Sequence, residues 1–257
     1  MNLFKSLASS ALALGLLANT AAHGQSAAPA PDFTLAYNIG GTTDYRFRGI
    51  SQSSFKPAVQ GGIDFSHKSG AYAGVWASNV NWIKDYIGAT DGSLEVDFFG
   101  GYKGELAKDL GFDMGVLAYV YPSNTAAAKT ADANTNEIYA ALTYGPVTAK
   151  YSRSLGNFVA NANSAGSQYL EVAASFDVGN GFSITPHLGR QTIPNQTDSA
   201  GDYTDYALTV NKDLGNGLSA SLTLLGTDAK SDSFYADKVG NSNLGKSGLL
   251  VGLKYSF

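Results

Sequence analysis

Hydrophobic and polar residues alternate with a period of two along most of the chain, over residues 33–257. The final segment shows the pattern clearly: every odd-numbered residue of 249–257 is apolar, and Lys254 and Ser256 lie between them. Successive side chains of a β-strand point to opposite faces, so such a segment predicts a strand with one apolar and one polar face. No segment has the 3.6-residue period that indicates a helix.

The sequence contains about twelve such segments, most of them close to the roughly 9 to 11 residues that a tilted transmembrane strand needs. The first is the longest and covers residues 33–48. The third is ambiguous in its facing, because the large side chains of Val75 and Trp76 lie on opposite sides. The pattern therefore predicts an all-β chain.

Short and long connections between these segments alternate along the chain. The short ones are residues 67–70, 104–111, 145–146, 177–181 and 213–217. The long ones are residues 49–56, 81–92, 122–136, 156–166, 192–202 and 228–246. Outer-membrane barrels have short periplasmic turns and long outer loops. The alternation therefore predicts a closed antiparallel transmembrane β-barrel of about twelve strands, with both chain ends on the periplasmic side.

A soluble β-sandwich is the alternative all-β fold, since its strands also alternate. Charges on the polar faces, such as Glu95, Asp97 and Glu171, argue against it, because a dry core tolerates few charges without partners. A wet lumen tolerates them, and a closed sheet leaves no unpaired edge in lipid. A mean hydropathy of -0.08, with 30 Gly, 15 Tyr and 13 Phe, also fits a barrel.

The start of the chain has the order of a secretory signal peptide. Lys5 precedes an apolar run over residues 7–17, and small residues follow it. The run is too short for a spanning helix, which needs about 20 residues. We expect cleavage near residues 22–24. The predicted organisation is a signal peptide over 1–24, a flexible lead over 25–32 and the barrel over 33–257.

Charge and cysteine content narrow the function classes. The formal net charge of -4 is too mild to indicate a nucleic-acid partner. The chain has no cysteine, so backbone pairing and packing must stabilise it without disulfides.

Several motifs resemble those of the TorF family of proposed porins. They are residues 44–52 (DYRFRGISQ), 57–64 (PAVQGGID), 72–79 (YAGVWASN), 95–97 (EVD), 100–102 (GGY), 119–122 (YVYP) and 137–139 (EIY). The motifs lie mainly in the first half, and the later strands match only as alternation. The resemblance implies an outer-membrane β-barrel with channel activity, and it supplies no catalytic residue.

The inward faces supply candidate pore-lining residues. These are Asp44, Arg46, Arg48, Glu95, Asp97, Lys103, Glu137, Lys150, Glu171, His187 and Lys254. The sharpest group is Asp44, Arg46 and Arg48, on the inward face of the first predicted strand. A ring of charge selects ions by sign, so these groups could form a constriction. The alternative is a salt-bridge network that rigidifies or plugs the lumen, since twelve strands enclose less space than the roughly 16 to 18 of general porins.

Other chemistry has little support in the sequence. His187 has neither an H-E-x-x-H spacing nor a G-x-S-x-G motif to accompany it, so we expect no metal, no cofactor and no enzymatic activity. The polar run at Asp132, Asn134 and Asn136 lacks the glycine and glutamate of a calcium loop.

Aromatic residues near strand ends are expected to form girdles at the membrane interfaces. They include Tyr45, Phe47, Tyr121, Tyr144, Tyr151, Tyr203 and Phe257. Tyr255 and Phe257 also give the last strand the aromatic ending that the barrel assembly machinery is expected to recognise.

The expected function is passive diffusion of small polar solutes or ions across the outer membrane. An occluded structural or interaction barrel that presents its outer loops is the alternative. Expected partners are outer-membrane lipid, lipopolysaccharide, the assembly machinery and the solutes, with no nucleic acid.

Overall fold

The computed structural model describes residues 31–85, 88–89, 91–124, 132–230, 235 and 242–257. The predicted signal peptide and most of the predicted lead lie outside the described residues. Within these ranges the helices are a four-residue α-helix, α1 (Trp82–Asp85), and a 3-10 turn (Thr197–Ser199). No helix of the described residues is both long and apolar enough to cross a membrane.

Strands make up most of the described chain. In order they are β1 (Phe33–Thr42), β2 (Arg46–Phe47), β3 (Ile50–Ser51), β4 (Ala58–His67), β5 (Ala71–Asn79), β6 (Leu94–Ala107), β7 (Leu110–Val120), β8 (Thr135–Tyr144), β9 (Val147–Ser154), β10 (Gln168–Ala174), β11 (Phe176–Gly179), β12 (Phe182–Thr192), β13 (Tyr203–Gly215), β14 (Leu218–Thr227) and β15 (Gly248–Ser256). β2 and β3 form a separate small hairpin.

The remaining strands form one closed antiparallel barrel. Each pairs with its neighbours along the chain, and β1 pairs with β15, with Ile39 opposite Tyr255. β10 and β11 form one wall strand interrupted at Ser175, because both pair with β12. The wall of the described barrel therefore has twelve strands, which confirms the predicted fold class.

The connections also follow the predicted alternation, so the barrel has a short-turn end and a long-loop end. Two short turns are Asn180-Gly181 and Asn216-Gly217, where all four residues have positive φ. Asparagine and glycine tolerate that backbone conformation, and two such residues in succession match the twist of the flanking strands. Both described ends of the chain lie at the short-turn end.

The outer surface of the wall is mainly apolar on all twelve strands, with Arg190 near the end of β12 as a charged exception. Leu35, Val116, Leu222 and Val251 are typical, each about half exposed. Alternation within the strands directs polar residues inward. The ambiguous third strand is settled by its burial pattern: Trp76 is buried in the lumen and Val75 faces outward.

The prediction of a first strand over residues 33–48 is wrong after Thr42. β1 ends at Thr42, and residues 43–57 turn into the lumen, where they carry the β2–β3 hairpin. The predicted outer loop at 49–56 is therefore an interior segment. Alternation continues past Thr42 because the hairpin also has a period of two, so the local pattern contains no signal for the change of direction.

Aromatic side chains fill the lumen near the long-loop end. Tyr45 packs edge-on against Trp76 with ring centres 5.4 Å apart, and Phe47 packs edge-on against Tyr119 at 5.2 Å. Trp76 and Tyr119 both lie close to the strand ends that lead into long connections. The main apolar cluster of the described residues thus lies inside the long-loop half of the barrel.

Candidate functional site

The inward segment, residues 43–57, closes the long-loop half of the lumen, and we call it the plug. In its hairpin Arg46 pairs with Ser51 and Phe47 pairs with Ile50, which leaves Arg48-Gly49 as a two-residue turn. Both turn residues have positive φ, 48° and 80°. This conformation costs a residue with a side chain on the order of 1 kcal/mol, so other contacts must hold Arg48 in place.

Arg48 inserts its guanidinium into a buried socket. Nη2 donates to Glu137 Oε2 at 2.7 Å, and Nη1 donates to Gln191 Oε1 at 2.9 Å. The guanidinium carbon lies 4.3 Å from the ring centre of Tyr169 and 5.4 Å from that of Phe158. We call Glu137, Tyr169, Gln191 and Phe158 the socket.

Electrostatics keep the buried guanidinium charged. Burial alone lowers the pKa of Arg48, but the neighbouring carboxylate of Glu137 outweighs it and raises the pKa above the ordinary value. The pair is closed off from water, with 6% and 2% of the two side chains exposed. Removing one member of such a pair leaves an uncompensated buried charge, which costs about 3–5 kcal/mol.

The strand order shows that the plug crosses the lumen. The plug leaves the wall after β1, and β9 lies opposite β1 because it is the seventh of the twelve wall strands in the order β1, β4, β5 and onward. Glu137 on β8 and Tyr169 on β10 flank β9, so the guanidinium of Arg48 reaches the far wall, while Gly49 lies against Asp205 of β13 and Thr227 of β14.

The base of the plug is held by a second polar group. Asp44 accepts hydrogen bonds from Ser51 Oγ at 2.6 Å and Ser53 Oγ at 3.1 Å, and it pairs with Arg46 Nε at 2.5 Å. Arg46 Nη1 also donates to the carbonyls of Leu244 and Lys246, at 3.1 and 3.0 Å. These bonds tie the plug to the last long connection.

Buried carboxylates surround the plug. Glu95 accepts a 2.9 Å hydrogen bond from the hydroxyl of Tyr45, and Glu137 accepts a 3.1 Å bond from Tyr119. Burial, followed by the charge of Glu95, raises the pKa of Tyr45 well above its ordinary value, so Tyr45 remains a donor. Asp97 Oδ1 and Glu137 Oε1 are buried and have no hydrogen-bond partner among the described residues.

His187 lies on the wall beside the socket and joins two carboxylates. Its Nε2 is 3.2 Å from Glu171 Oε2 and its Nδ1 is 3.4 Å from Asp205 Oδ2. Tyr169 donates to Asp205 at 2.9 Å, which connects this group to the socket. Among the described residues, no group of three or more histidine, cysteine, aspartate or glutamate side chains is arranged to hold a metal ion.

The short-turn half of the lumen is different in character. Half-buried polar residues line it, including Asn38, Asp64, Lys150, Thr209 and Lys254. At the long-loop end, a cavity of about 50 Å³ remains between the plug and the long connections. Among the described residues, the lumen is thus a polar vestibule towards the short turns and is filled by the plug towards the long connections.

The structure places the sequence candidates on two different elements. Glu95, Asp97, Lys103, Glu137, Lys150, Glu171, His187 and Lys254 face inward from the wall. Asp44, Arg46 and Arg48 lie on the plug instead of on a wall strand, which corrects their predicted location. The plug brings Arg48 to Glu137, whereas Lys103 and Lys254 lie towards the short-turn end.

Phe158, in the connection between β9 and β10, is absent from the predicted set. So are three wall residues of this site: Tyr169, Gln191 and Asp205. Each lies on the inward face of its strand and near the long-loop end, so alternation combined with position along the strand is the signal that could have identified them.

The predicted aromatic girdles are partly wrong. Tyr45, Phe47, Tyr121 and Tyr203 are buried in the interior, because the plug and the long connections enclose them. Tyr144, Tyr151 and Phe257 do face outward and are exposed.

Comparison with known proteins places this barrel in a family. A family model described as a bacterial protein of unknown function (Gcw_chp) matches residues 26–257. The chain belongs to the Gcw_chp family. No curated protein matches the Gcw_chp chain by sequence.

Two solved porins share its fold. The KdgM porin, in complex with disordered oligogalacturonate, has 7% sequence identity and a TM-score of 0.53, and the match covers 87% of this chain and 98% of that chain. The NanC porin has 11% identity and a TM-score of 0.53, with 86% and 99% covered. Sequence identities this low establish the likeness of fold alone.

Proposed function

We propose that this chain is an outer-membrane porin that passes small polar solutes or ions by passive diffusion. The observation that carries the proposal is the closed barrel whose outer surface is mainly apolar on every strand while its lumen is charged. Such a surface suits hydrocarbon, and closure satisfies the backbone groups that lipid cannot. The resemblance to the TorF family supports the same function.

The proposed topology follows from the connections. The short-turn end faces the periplasm, and the long-loop end faces outward. Residues 1–24 act as a signal peptide cleaved near 22–24, and residues 25–32 form a lead to the barrel. Outer-membrane lipid and lipopolysaccharide surround the wall. The assembly machinery recognises the last strand, where Tyr255 and Phe257 stack with ring centres 5.5 Å apart.

In this proposal the plug is the gate of the channel. Solute enters the vestibule from the periplasmic side, or reaches it from outside when the plug moves aside. The bonds of Arg46 and Arg48 hold the gate shut. All the candidate residues of the lumen wall, from Glu95 to Lys254, then line the passage.

Single-channel conductance in planar bilayers tests the proposal. The refolded wild-type barrel is compared with Arg46→Ala/Arg48→Ala, which loses both anchors of the plug. We expect brief openings for wild type and larger or longer conducting steps for the variant. Arg190→Ala is the matched control, because Arg190 is exposed on the outer side of β12 and its ion pair with Asp202 is long, at 4.0 Å.

The closed long-loop half also favours a second candidate function, an occluded barrel that presents its long connections to a ligand. Folded wild type and variant that both remain silent would exclude the porin and leave this alternative. The gated porin would be supported by larger or longer conducting steps in Arg46→Ala/Arg48→Ala, together with equal behaviour of wild type and Arg190→Ala.

A further inference from the structure

We propose that the socket is a binding site for the guanidinium group of a small cationic solute, and that the closed barrel fills it with its own Arg48. The inference rests on the proposed channel function, because a solute reaches the socket through the lumen. It adds a substrate class to that channel, and it makes the solute a competitor of the plug.

The socket belongs to the wall and not to the plug. Glu137 lies on β8, Tyr169 on β10 and Gln191 on β12, while Phe158 comes from the connection between β9 and β10. Phe47, 4.7 Å from the guanidinium carbon, is the plug's own contribution. When the plug leaves, a carboxylate, an amide oxygen and two aromatic rings therefore remain without a cation.

The chemistry of the socket favours a guanidinium over other cations. Glu137 and Gln191 accept hydrogen bonds from two different nitrogen atoms of the guanidinium. A ligand must therefore present N–H donors in two directions. Tyr169 lies within stacking distance of the guanidinium, and a planar cation stacks on a ring where a compact ammonium does not. A neutral urea has the same shape but gains no charge interaction with Glu137.

The charge around the socket favours a cation as well. Glu95, Asp97, Glu137, Glu171 and Asp205 are wall carboxylates with at most 5% exposure. Departure of the plug removes Arg48 from this level, while Arg46 leaves together with its own partner Asp44, and the wall carboxylates then face the lumen. The oxygens Asp97 Oδ1 and Glu137 Oε1 already have no hydrogen-bond partner among the described residues. A guanidinium solute restores the lost charge, and an anion is repelled.

Thermal unfolding of the full barrel in detergent tests binding without requiring conductance. Arg48→Ala empties the socket, and three probes that carry the same ethyl group are compared: ethylguanidinium, ethylammonium and ethylurea. We expect ethylguanidinium to raise the midpoint of Arg48→Ala by a few degrees, as for a ligand at about ten times its Kd, with smaller effects of the other two. In Arg48→Ala/Glu137→Gln the selective rise should disappear.

Bilayer recordings supply the second measurement. Ethylguanidinium should block Arg48→Ala at a concentration about tenfold lower than it blocks Arg48→Ala/Glu137→Gln. In wild type it should increase the fraction of time open, relative to ethylammonium at equal ionic strength, since it competes with Arg48. If Arg48→Ala does not fold, Arg48→Lys replaces it, because lysine keeps a charge but cannot fill both donor positions.

The outcomes separate this inference from the channel itself. If ethylguanidinium selectively raises the unfolding midpoint of a barrel that never conducts, the binding site is supported and the porin function is excluded. If the barrel conducts but neither Arg48→Ala nor Arg48→Lys shows any preference for ethylguanidinium, the binding site is excluded and the porin function is supported. A rise that persists in the Glu137→Gln background also overturns the inference, because binding then does not use the socket carboxylate.

Discussion

At the scale of single residues, the plug depends on the two neighbours Arg48 and Gly49. Arg48 occupies a backbone conformation that side chains disfavour, and its ion pair with Glu137 and its stacking on Tyr169 compensate. At position 49, by contrast, only glycine fits. A Cβ there would lie 2.5 Å from a methyl carbon of Thr227 and 2.9 Å from Cβ of Asp205, so the turn fits against the wall only as glycine.

Gly49→Ala should therefore unseat the plug. Positive φ costs alanine about 1–2 kcal/mol, and the close contacts with the wall add to that. We expect a longer open time in bilayer recordings and a lower unfolding midpoint. Gly145→Ala is the control, because Gly145 also has positive φ, 55°, but nothing within 4 Å of an added Cβ. Equal behaviour of the two variants would show that backbone strain alone matters and that the turn does not fit closely against the wall.

At the scale of elements, the plug and the wall differ in how their backbones are bonded. Each of the twelve wall strands pairs with a neighbour on both sides, although the β11 portion of one of them pairs only with β12. The plug has only scattered backbone bonds to the rest of the barrel, such as Ser51 N to Leu244 O at 2.9 Å and Thr43 N to Val251 O at 3.0 Å. Its side chains, above all Arg48, carry the attachment. A segment held in this way opens locally at lower free energy than the sheet around it.

Hydrogen exchange should reveal this local opening. We expect peptides from residues 43–57 to exchange faster than wall strands in wild type. Glu137→Gln should accelerate them by about tenfold or more, since it removes the charge that holds Arg48, while the wall strands keep their rates. Exchange followed by mass spectrometry measures both. Glu105→Gln, at an exposed position of β6, is the control and should change neither. Equal protection of plug and wall would contradict a plug that moves independently.

At the scale of the whole molecule, one seam turns the sheet into a barrel. β1 and β15 come from opposite ends of the sequence and pair over five residue pairs from Asn38–Ser256 to Thr42–Gly252. Below them, Phe257 exchanges two backbone hydrogen bonds with Tyr37, at 2.9 and 3.0 Å, and the two rings stack with centres 5.7 Å apart. The terminal aromatic residue therefore completes the seam at the short-turn end.

Phe257→Ala should weaken that closure while it leaves the backbone bonds available. Stacked aromatic pairs contribute about 0.5–1.5 kcal/mol beyond the area they bury. We expect a lower unfolding midpoint and a smaller yield of heat-modifiable folded barrel on refolding. Tyr144→Ala removes an exposed aromatic residue at the same end but away from the seam, and it should lower both quantities less. A smaller effect of Phe257→Ala than of Tyr144→Ala would exclude a special role of the seam.

The sequence by itself determined the barrel. Alternation depends only on which residues are neighbours, and connection length depends only on counting. The strand number, the facing of most strands and the two ends of the barrel could therefore be predicted locally. The inward direction of Glu95, Asp97 and Glu137 was available for the same reason.

Only the tertiary structure decided what fills the lumen. Arg48 meets Glu137 across 89 residues of sequence and Gln191 across 143, and no local pattern specifies such partners. Tyr45 and Phe47 fit an interface girdle and a buried core equally well by type, because both environments accept an aromatic ring with a polar or apolar edge. Tyr45 and Phe47 are buried because the chain turns into the lumen after Thr42. That turn is favourable only when the wall residues that bind the hairpin, such as Glu137 and Gln191, are already in place.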